Sequence, residues 1–418
     1  MNSRQRIKES ISHKETDKLP IDFGGMLATG IHVSTVYKLR QALGIDKPGI
    51  PVKVIEPYQM LGEINDDLKK VLGVDTVALL GEGNFFGFKN SGWKEWDLKG
   101  TPVLVPELFN TIRNEDGSIF MYPQGDKNSR PSGLMPKEGY YFDLVIRQEK
   151  INDDNLKVED NLEEFKLISD KQLKNIKKTV SGLYSDTNYS IIASLVSSGF
   201  GDIALVPGPT LKNPKGIRDI SEWYMSTVSR KEYIKKVFSG QLEIALENYR
   251  RIYNEVGNEI DIVFVSGTDF GAQDGLFISI DSYRDLYKPF HKKINDWIHE
   301  NTTWHTFMHC CGSIYGVIPD FIEAGFDILN PVQISAKDMD PLKLKKSYGK
   351  HITFWGGGVN TQKTLPFGTP KQVKEEVKKL IDIFSPGGGF VFNSIHNIQA
   401  NIPIENIIAL IEALEEYR

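Results

Sequence analysis

The six residues Phe307-Met308-His309-Cys310-Cys311-Gly312 contain the only two cysteines of the chain, next to a histidine. If residues 304 to 310 are extended, side chains alternate between two faces, so His305, Phe307, His309 and Cys311 share one face and Met308 and Cys310 the other. His309 and Cys311 can then grip one ion. An imidazole nitrogen with a thiolate sulfur suits Zn²⁺, which needs at least one further protein ligand and, in a catalytic site, an open position. The same triplet is also compatible with two buried cysteines and no ion, since cysteine is among the most buried residue types.

Such a pair acts only if other elements bring partners to it. The chain alternates apolar runs with amphipathic helical stretches. The runs are 21–25, 74–80, 202–206, 261–265, 304–310, 326–329, 351–355 and 390–393, and eight strands separated by helices predict an α/β fold, a (β/α)₈ (TIM) barrel. Helices are expected over 3–13, 34–44 and 57–72, the last stopping at Gly73, with an extended linker reaching Glu56. A charged helical stretch runs to about 197. The helix 282–300 carries Pro289 and should kink there. Thr369-Pro370-Lys371-Gln372 is a capping box, followed by the apolar stripe Val373, Val377, Leu380, Ile381 and Phe384. From about 93 to 143 the pattern changes to short alternating runs, with a hairpin turning at Asn114 to Ser118; this reads as a β-rich insertion after the second strand. The whole, 1–418, reads as one domain.

With 50 basic against 55 acidic side chains and no basic run interleaved with aromatics, nucleic acid is not an expected partner. Two adjacent cysteines cannot build a disulfide framework and suit a reducing compartment. Neither a signal-like apolar stretch at the N-terminus nor a membrane span is evident, so a cytoplasmic location is expected.

In a (β/α)₈ barrel, active sites are assembled at the C-terminal ends of the strands. There the sequence places Asp22, then Glu82 and Asn84, then Pro207 to Thr210, then Asp269 with Gln273. His309 and Cys311 follow the fifth run, Asn330 and Gln333 the sixth, Trp355 the seventh, and Asn393 and His396 the eighth. Asp269, His309, Cys311 and His396 are the candidates to converge. Asp269 is equally suited to capping a following turn, and His396 to a plain polar loop. His305 and Phe307 are expected to fill the barrel interior.

These residues lie in stretches by which the chain resembles the uroporphyrinogen decarboxylase superfamily, and within it the corrinoid-dependent methyltransferases. The likeness is carried by Leu19 to Gly25, Tyr122 to Asp126, Pro131 to Pro136, Gly139 to Asp143 and Asp269 to Gly275. It continues through His309 to Gly312, Asn330 to Gln333, Phe354 to Gly357, Pro386 to Gly389, His396 to Gln399 and Pro403 to Ile407. The resemblance implies a (β/α)₈ barrel and, in the methyltransferase branch, a zinc held by an H-x-C pair and a later cysteine. His309 and Cys311 match the pair. The later cysteine is absent, and His396 falls at or beside its position when Pro403 to Ile407 anchor the alignment. Porphyrinogen decarboxylases carry an Arg-rich motif on the first strand, where this chain has Asp22-Phe23-Gly24-Gly25.

The expectation is therefore a zinc-dependent methyltransferase that moves a methyl group between a small methoxy or methylthio compound and the cobalt of cobalamin on a separate corrinoid protein. His309, Cys311 and His396 would hold the metal, with Asp269 and Glu82 as rivals for third ligand. Asp269 would otherwise relay protons, while Asp22, Glu82, Gln273, Asn330, Gln333 and Trp355 would line the substrate site. A metal-free decarboxylase and a non-catalytic barrel that binds a corrinoid protein are the rival readings.

Overall fold

A computed structural model describes residues 1–196 and 198–418 of the chain. Seven parallel strands form the central sheet. Across it they run Phe390–Val391, Thr353–Trp355, Ile328–Asn330, His305–His309, Ile262–Ser266, Ser190–Ser194 and Thr76–Leu80. Sequential strands are neighbours, as parallel strands joined by helical crossovers require. The sheet curls around Ile192, Ile262, Phe307, Ile328, Trp355 and Val391, which pack together on its concave face. Ile7 and Ile11, from the N-terminal helix Ser3–Ile11, close this core from below.

The expected first strand is reduced to one bridged residue. Ile21 pairs with Phe392, and the backbone of 20–22 bonds to Phe392 on one side and, through Asp75 N–H to Ile21 O at 2.8 Å, to the strand beginning at Thr76 on the other. The run ends there because Asp22 Oδ1 accepts Gly25 N–H at 2.7 Å, which turns the chain.

The expected third strand, 202–206, is corrected: it is a turn, and the strand is Ser190–Ser194. Asp202 breaks its own run, because its carboxylate accepts Ala204 N–H and its carbonyl accepts Leu205 and Val206 N–H. The expected helix over 57–72 is shortened to Asp66–Leu72. The Glu56 carboxylate caps a turn over 57–60 through the Tyr58 and Gln59 N–H groups, and Met60, at φ +54, ends it before a second helical turn can form. Pro289 does break the predicted long helix, into Ile280–Leu286 and Lys288–Asn301. The capping box of Pro370–Phe384 forms as read.

The β-rich segment is present and reaches further than expected. Val52–Glu56, read as a linker, is a strand between Leu61–Gly62 and Thr101–Val105, with Lys94–Leu98 at the edge. The hairpin Thr111–Arg113 with Ile119–Met121 begins a second four-stranded sheet completed by Gly133–Met135 and Asp143–Leu144.

Candidate metal centre

The strand His305–His309 delivers His309 to the C-terminal end of the sheet, two residues beyond the buried Phe307 on the concave face. Its imidazole is set by the next strand: His309 Nδ1 lies 2.7 Å from Asn330 Oδ1. The amide orientation is fixed in turn, because Asn330 Nδ2 donates to Trp355 O at 2.9 Å. The oxygen must then accept, Nδ1 carries the proton, and the Nε2 lone pair is left free. That lone pair faces Cys311 Sγ at 3.5 Å. A tetrahedral zinc with ordinary Zn–S and Zn–N bonds would separate the two donors by about 3.6 Å.

Cys311 is held by its backbone. Its N–H donates to Asp269 Oδ1 at 2.6 Å, and the following Gly312 N–H donates to Gln333 Oε1 at 2.7 Å. Gly312 has φ +93 and runs against Gly271, where a Cβ would meet backbone at 2.3 Å. Only glycine allows this crossing of the two loops. Burial first, and then the nearby Asp269 carboxylate, push the Cys311 thiol well above its usual range.

His396 completes the group: one donor atom each from His309, Cys311 and His396 lie within 4.8 Å of one another. To complete a zinc tetrahedron the wider edges must close by about 1 Å. Burial, with His309 beside it, pulls His396 down to about 3, so its ring is neutral and able to donate a lone pair. Its Nδ1 accepts the Asn397 N–H at 2.8 Å. Ligation through Nε2 would require that contact to be given up, whereas His309 is already in the tautomer such ligation needs. The donor set therefore fits zinc, with two ligands pre-set and a third that must adjust.

The other expected site residues divide into two groups. Asn330, Gln333, Gln273 and Asp269 are gathered around the His309–Gly312 loop: Gln333 Nε2 donates to Gln273 Oε1 at 3.0 Å, extending the chain of contacts from Gly312 outward. Their bonds orient the loop. Asp269 caps no helix; burial raises its carboxyl, which has Cys311 N–H as donor. The rest are engaged elsewhere. Asp22 is fully buried and accepts Trp355 Nε1–H at 2.8 Å, Thr76 Oγ1–H at 2.6 Å and Gly25 N–H. Glu82 bonds to Lys89 Nζ at 2.6 Å and to Asn175, on the outer side. His305 lies at the opposite end of its strand, 3.7 Å from Asp327.

Three residues at the same end escaped the sequence reading. Asp202 is held there by the 198–206 segment, and Tyr58 and Tyr224 have hydroxyls raised by burial first and, among other charges, by that of Asp202. The missed strand at Ser190–Ser194 hid Asp202, because polar residues were sought after Val206 instead.

Residues 214–417 match the family model described as uroporphyrinogen decarboxylase. A methylcobamide:CoM methyltransferase (MtaA) of Methanosarcina barkeri is 30% identical over 116 residues, 27% of this chain and 31% of that protein. A uroporphyrinogen decarboxylase of Actinobacillus succinogenes is 31% identical over 73 residues, 18% of this chain and 20% of that protein. The matched stretches thus span about a third or less of these relatives. Among solved structures, a methyltransferase from Methanosarcina mazei superposes with a TM-score of 0.55 at 15% identity, covering 100% of this chain and 99% of that one. At that identity the likeness is one of fold.

Proposed function

We propose that the chain, whose residues 214–417 match the uroporphyrinogen decarboxylase family model, is a zinc-dependent methyltransferase of that family acting with a corrinoid protein. On this reading residues 1–418 are one domain, the curled sheet with residues 20–22 between its edges is a (β/α)₈ barrel, and the protein works in the cytoplasm. The observation that carries it is the His309–Cys311–His396 group at the C-terminal end of the sheet. The partial likeness to a methylcobamide:CoM methyltransferase supports the same direction.

His309, Cys311 and His396 would hold the metal. Zinc, when bound, would act there as a Lewis acid toward the heteroatom that gains or loses the methyl group. The chain's own residues do the positioning. Asn330 keeps the His309 lone pair aimed at the site, and Asp269 and Gln333 keep the Cys311 loop against Gly271. The small methoxy or methylthio substrate would enter over these residues, and the corrinoid would arrive on a partner at the same end. A metal-free decarboxylase is less well supported, because it leaves a histidine–thiol–histidine group without a use.

The test is methyl transfer by the zinc-loaded chain with cobalamin supplied. His396→Ala should fold normally, lose most of its zinc affinity and transfer no methyl. If instead Asp269→Ala lost the metal and His396→Ala kept it, the third ligand would be the carboxylate.

A further inference from the structure

Asn397 directly follows the third ligand, and the metal chemistry above makes no use of it. It is buried, and both polar atoms of its side chain are engaged with distant parts of the chain. Its Oδ1 accepts Gly30 N–H at 2.6 Å, while its Nδ2 donates to Leu27 O at 2.9 Å and to Gln59 Oε1 at 2.7 Å. Asn397 thus joins the loop 24–30 to the turn that follows Val52–Glu56. That loop caps the interior at the end of the sheet that carries His309 and Cys311. Met26 belongs to the apolar layer of the concave face, and Ala28 packs against the same layer.

Within itself the loop is braced by Gly24 N–H to Thr29 O at 2.8 Å and Thr29 N–H to Met26 O at 3.2 Å. From Leu27 to Gly30 its bonds to distant elements go to the segment after the last strand. Besides the two from Asn397, these are Asn393 Nδ2–H to Thr29 O at 3.5 Å and Ile398 N–H to Gly30 O at 3.1 Å. The same segment carries His396, whose Nδ1 accepts the Asn397 N–H at 2.8 Å. A neutral imidazole has one lone pair. If His396 ligates through Nδ1, that lone pair goes to the metal; if it ligates through Nε2, the proton must sit on Nδ1. Either way the Asn397 N–H loses its acceptor, and the imidazole stays neutral throughout. His396 must also move toward His309 and Cys311, because the donor atoms, within 4.8 Å of one another, have to close by about 1 Å around a tetrahedral zinc. Both changes act on the peptide unit that carries the Asn397 side chain.

We propose that Asn397 is a latch between the metal site and the loop 24–30: ligation of a metal by His396 draws Asn397 off Gly30 and Leu27 and releases the loop from the interior. This rests on the reading of His396 as a metal ligand. The coupling is reciprocal, so a loop held by Asn397 lowers the affinity for the metal by the same factor by which the metal loosens the loop. The end of the sheet where substrate and partner would approach thus stays covered until His396 has taken up its ligand position, and is freed by the same movement that completes the donor set.

The experiment follows amide hydrogen exchange by mass spectrometry in the full chain, stripped with a chelator and then supplied with zinc, with the metal content of each sample measured. In the wild type, exchange in peptides covering 26–31 should quicken by about 2- to 12-fold when zinc is bound, the worth of one hydrogen bond, while the helix Pro370–Phe384 stays unchanged. Asn397→Ala should exchange fast at 26–31 with or without zinc, and should bind zinc more tightly by about the same factor. Gln59→Ala cuts one contact of Asn397 at a half-buried residue; it should shift both readings in the same direction by less, and it serves if Asn397→Ala does not fold. A zinc-loaded wild type whose exchange at 26–31 equals that of the stripped chain, or variants that bind zinc no more tightly than the wild type, would overturn the latch and leave the metal site standing. A wild type that takes up no zinc, or a His396→Ala variant that holds zinc as well as the wild type, would overturn ligation by His396 and the latch with it.

Discussion

The two ends of the central sheet handle buried acids in opposite ways. At the N-terminal ends of the strands, Asp75, Asp261 and Asp327 each stand one residue before a strand, and each has a basic partner. Asp75 meets Arg6 at 2.5 Å and Arg418 at 2.7 Å, Asp261 meets Lys8 at 2.8 Å, and Asp327 meets His299 at 2.9 Å. Burial works to raise the Asp327 carboxyl, but hydrogen bonds from His299 and His305 outweigh it and hold it well below the usual range. At the C-terminal ends, Asp202 and Asp269, which are partly exposed, and the fully buried Asp22 and Glu56 have only neutral hydrogen-bond donors among the described residues, and burial raises all four. The paired end joins the first helix and the last residue to the sheet. The unpaired end favours the protonated form of its acids, at a cost in stability.

If that division is right, the largest loss of stability should come from the paired end. Asp75→Ala leaves Arg6 and Arg418 without their shared carboxylate, and removing one member of a buried ion pair costs about 3–5 kcal/mol. Denaturant unfolding should show a loss of that size; a loss under about 1 kcal/mol would mean that the pairing contributes little.

Metal affinity sharpens the contrast from the other end. Asn330→Ala removes the acceptor that fixes the His309 tautomer, and such outer contacts are worth about 10- to 100-fold in affinity. Zinc competition with a chelator should show that drop with unfolding nearly unchanged. Equal affinity would detach Asn330 from the site.

At both ends stability should fall as pH rises, at one through an acid that burial penalises and at the other through a stabilising ion pair that is lost. Glu56 is pushed up to about 7 by burial, so between its unfolded value and about 7 the folded chain binds more protons and stability falls as pH rises. Glu56→Gln should remove this slope and gain about 1–2 kcal/mol over the wild type at pH 8, with no gain at pH 4. His299 gives a slope of the same sign for a different reason. Its hydrogen bond to Asp327 raises it, so its contribution is complete below its unfolded value and is lost as pH rises through the folded one. Because the pair is partly exposed, His299→Gln should cost under about 1 kcal/mol at pH 5 and nothing at pH 9. Thermal melts should show both variants gaining on the wild type as pH rises, Glu56→Gln from parity to a surplus and His299→Gln from a deficit to parity.

The sequence was most informative where local chemistry settles structure. The alternation that groups His309 with Cys311, the capping box at Thr369, the break at Pro289 and the β-rich segment depend on neighbours a few residues apart. It was least informative where a side chain rewrites the backbone around it. The Glu56 carboxylate holds residues 57–59 in a turn that Met60, at φ +54, ends before a helix can form, and Asp202 turns an apolar run that reads as a strand. Five residues, Ser190–Ser194, behind a long charged helix gave too short a pattern to separate from it. Asp22 was legible as a strand-end acid. Its partners Trp355 and Thr76 lie hundreds and tens of residues away, so its engagement by them was not.

The account turns on one ion held by His309, Cys311 and His396, and the two adjacent cysteines allow a direct test. Cys311 faces His309, while Cys310 is buried on the other side of the strand and its sulfur accepts the Phe270 N–H at 3.2 Å. Metal analysis of the purified wild type, Cys311→Ala and Cys310→Ala should find about one zinc per chain in the wild type, a near-complete loss in Cys311→Ala, and retention in Cys310→Ala. Equal zinc in the two variants, or none in a wild type supplied with the metal, would contradict it.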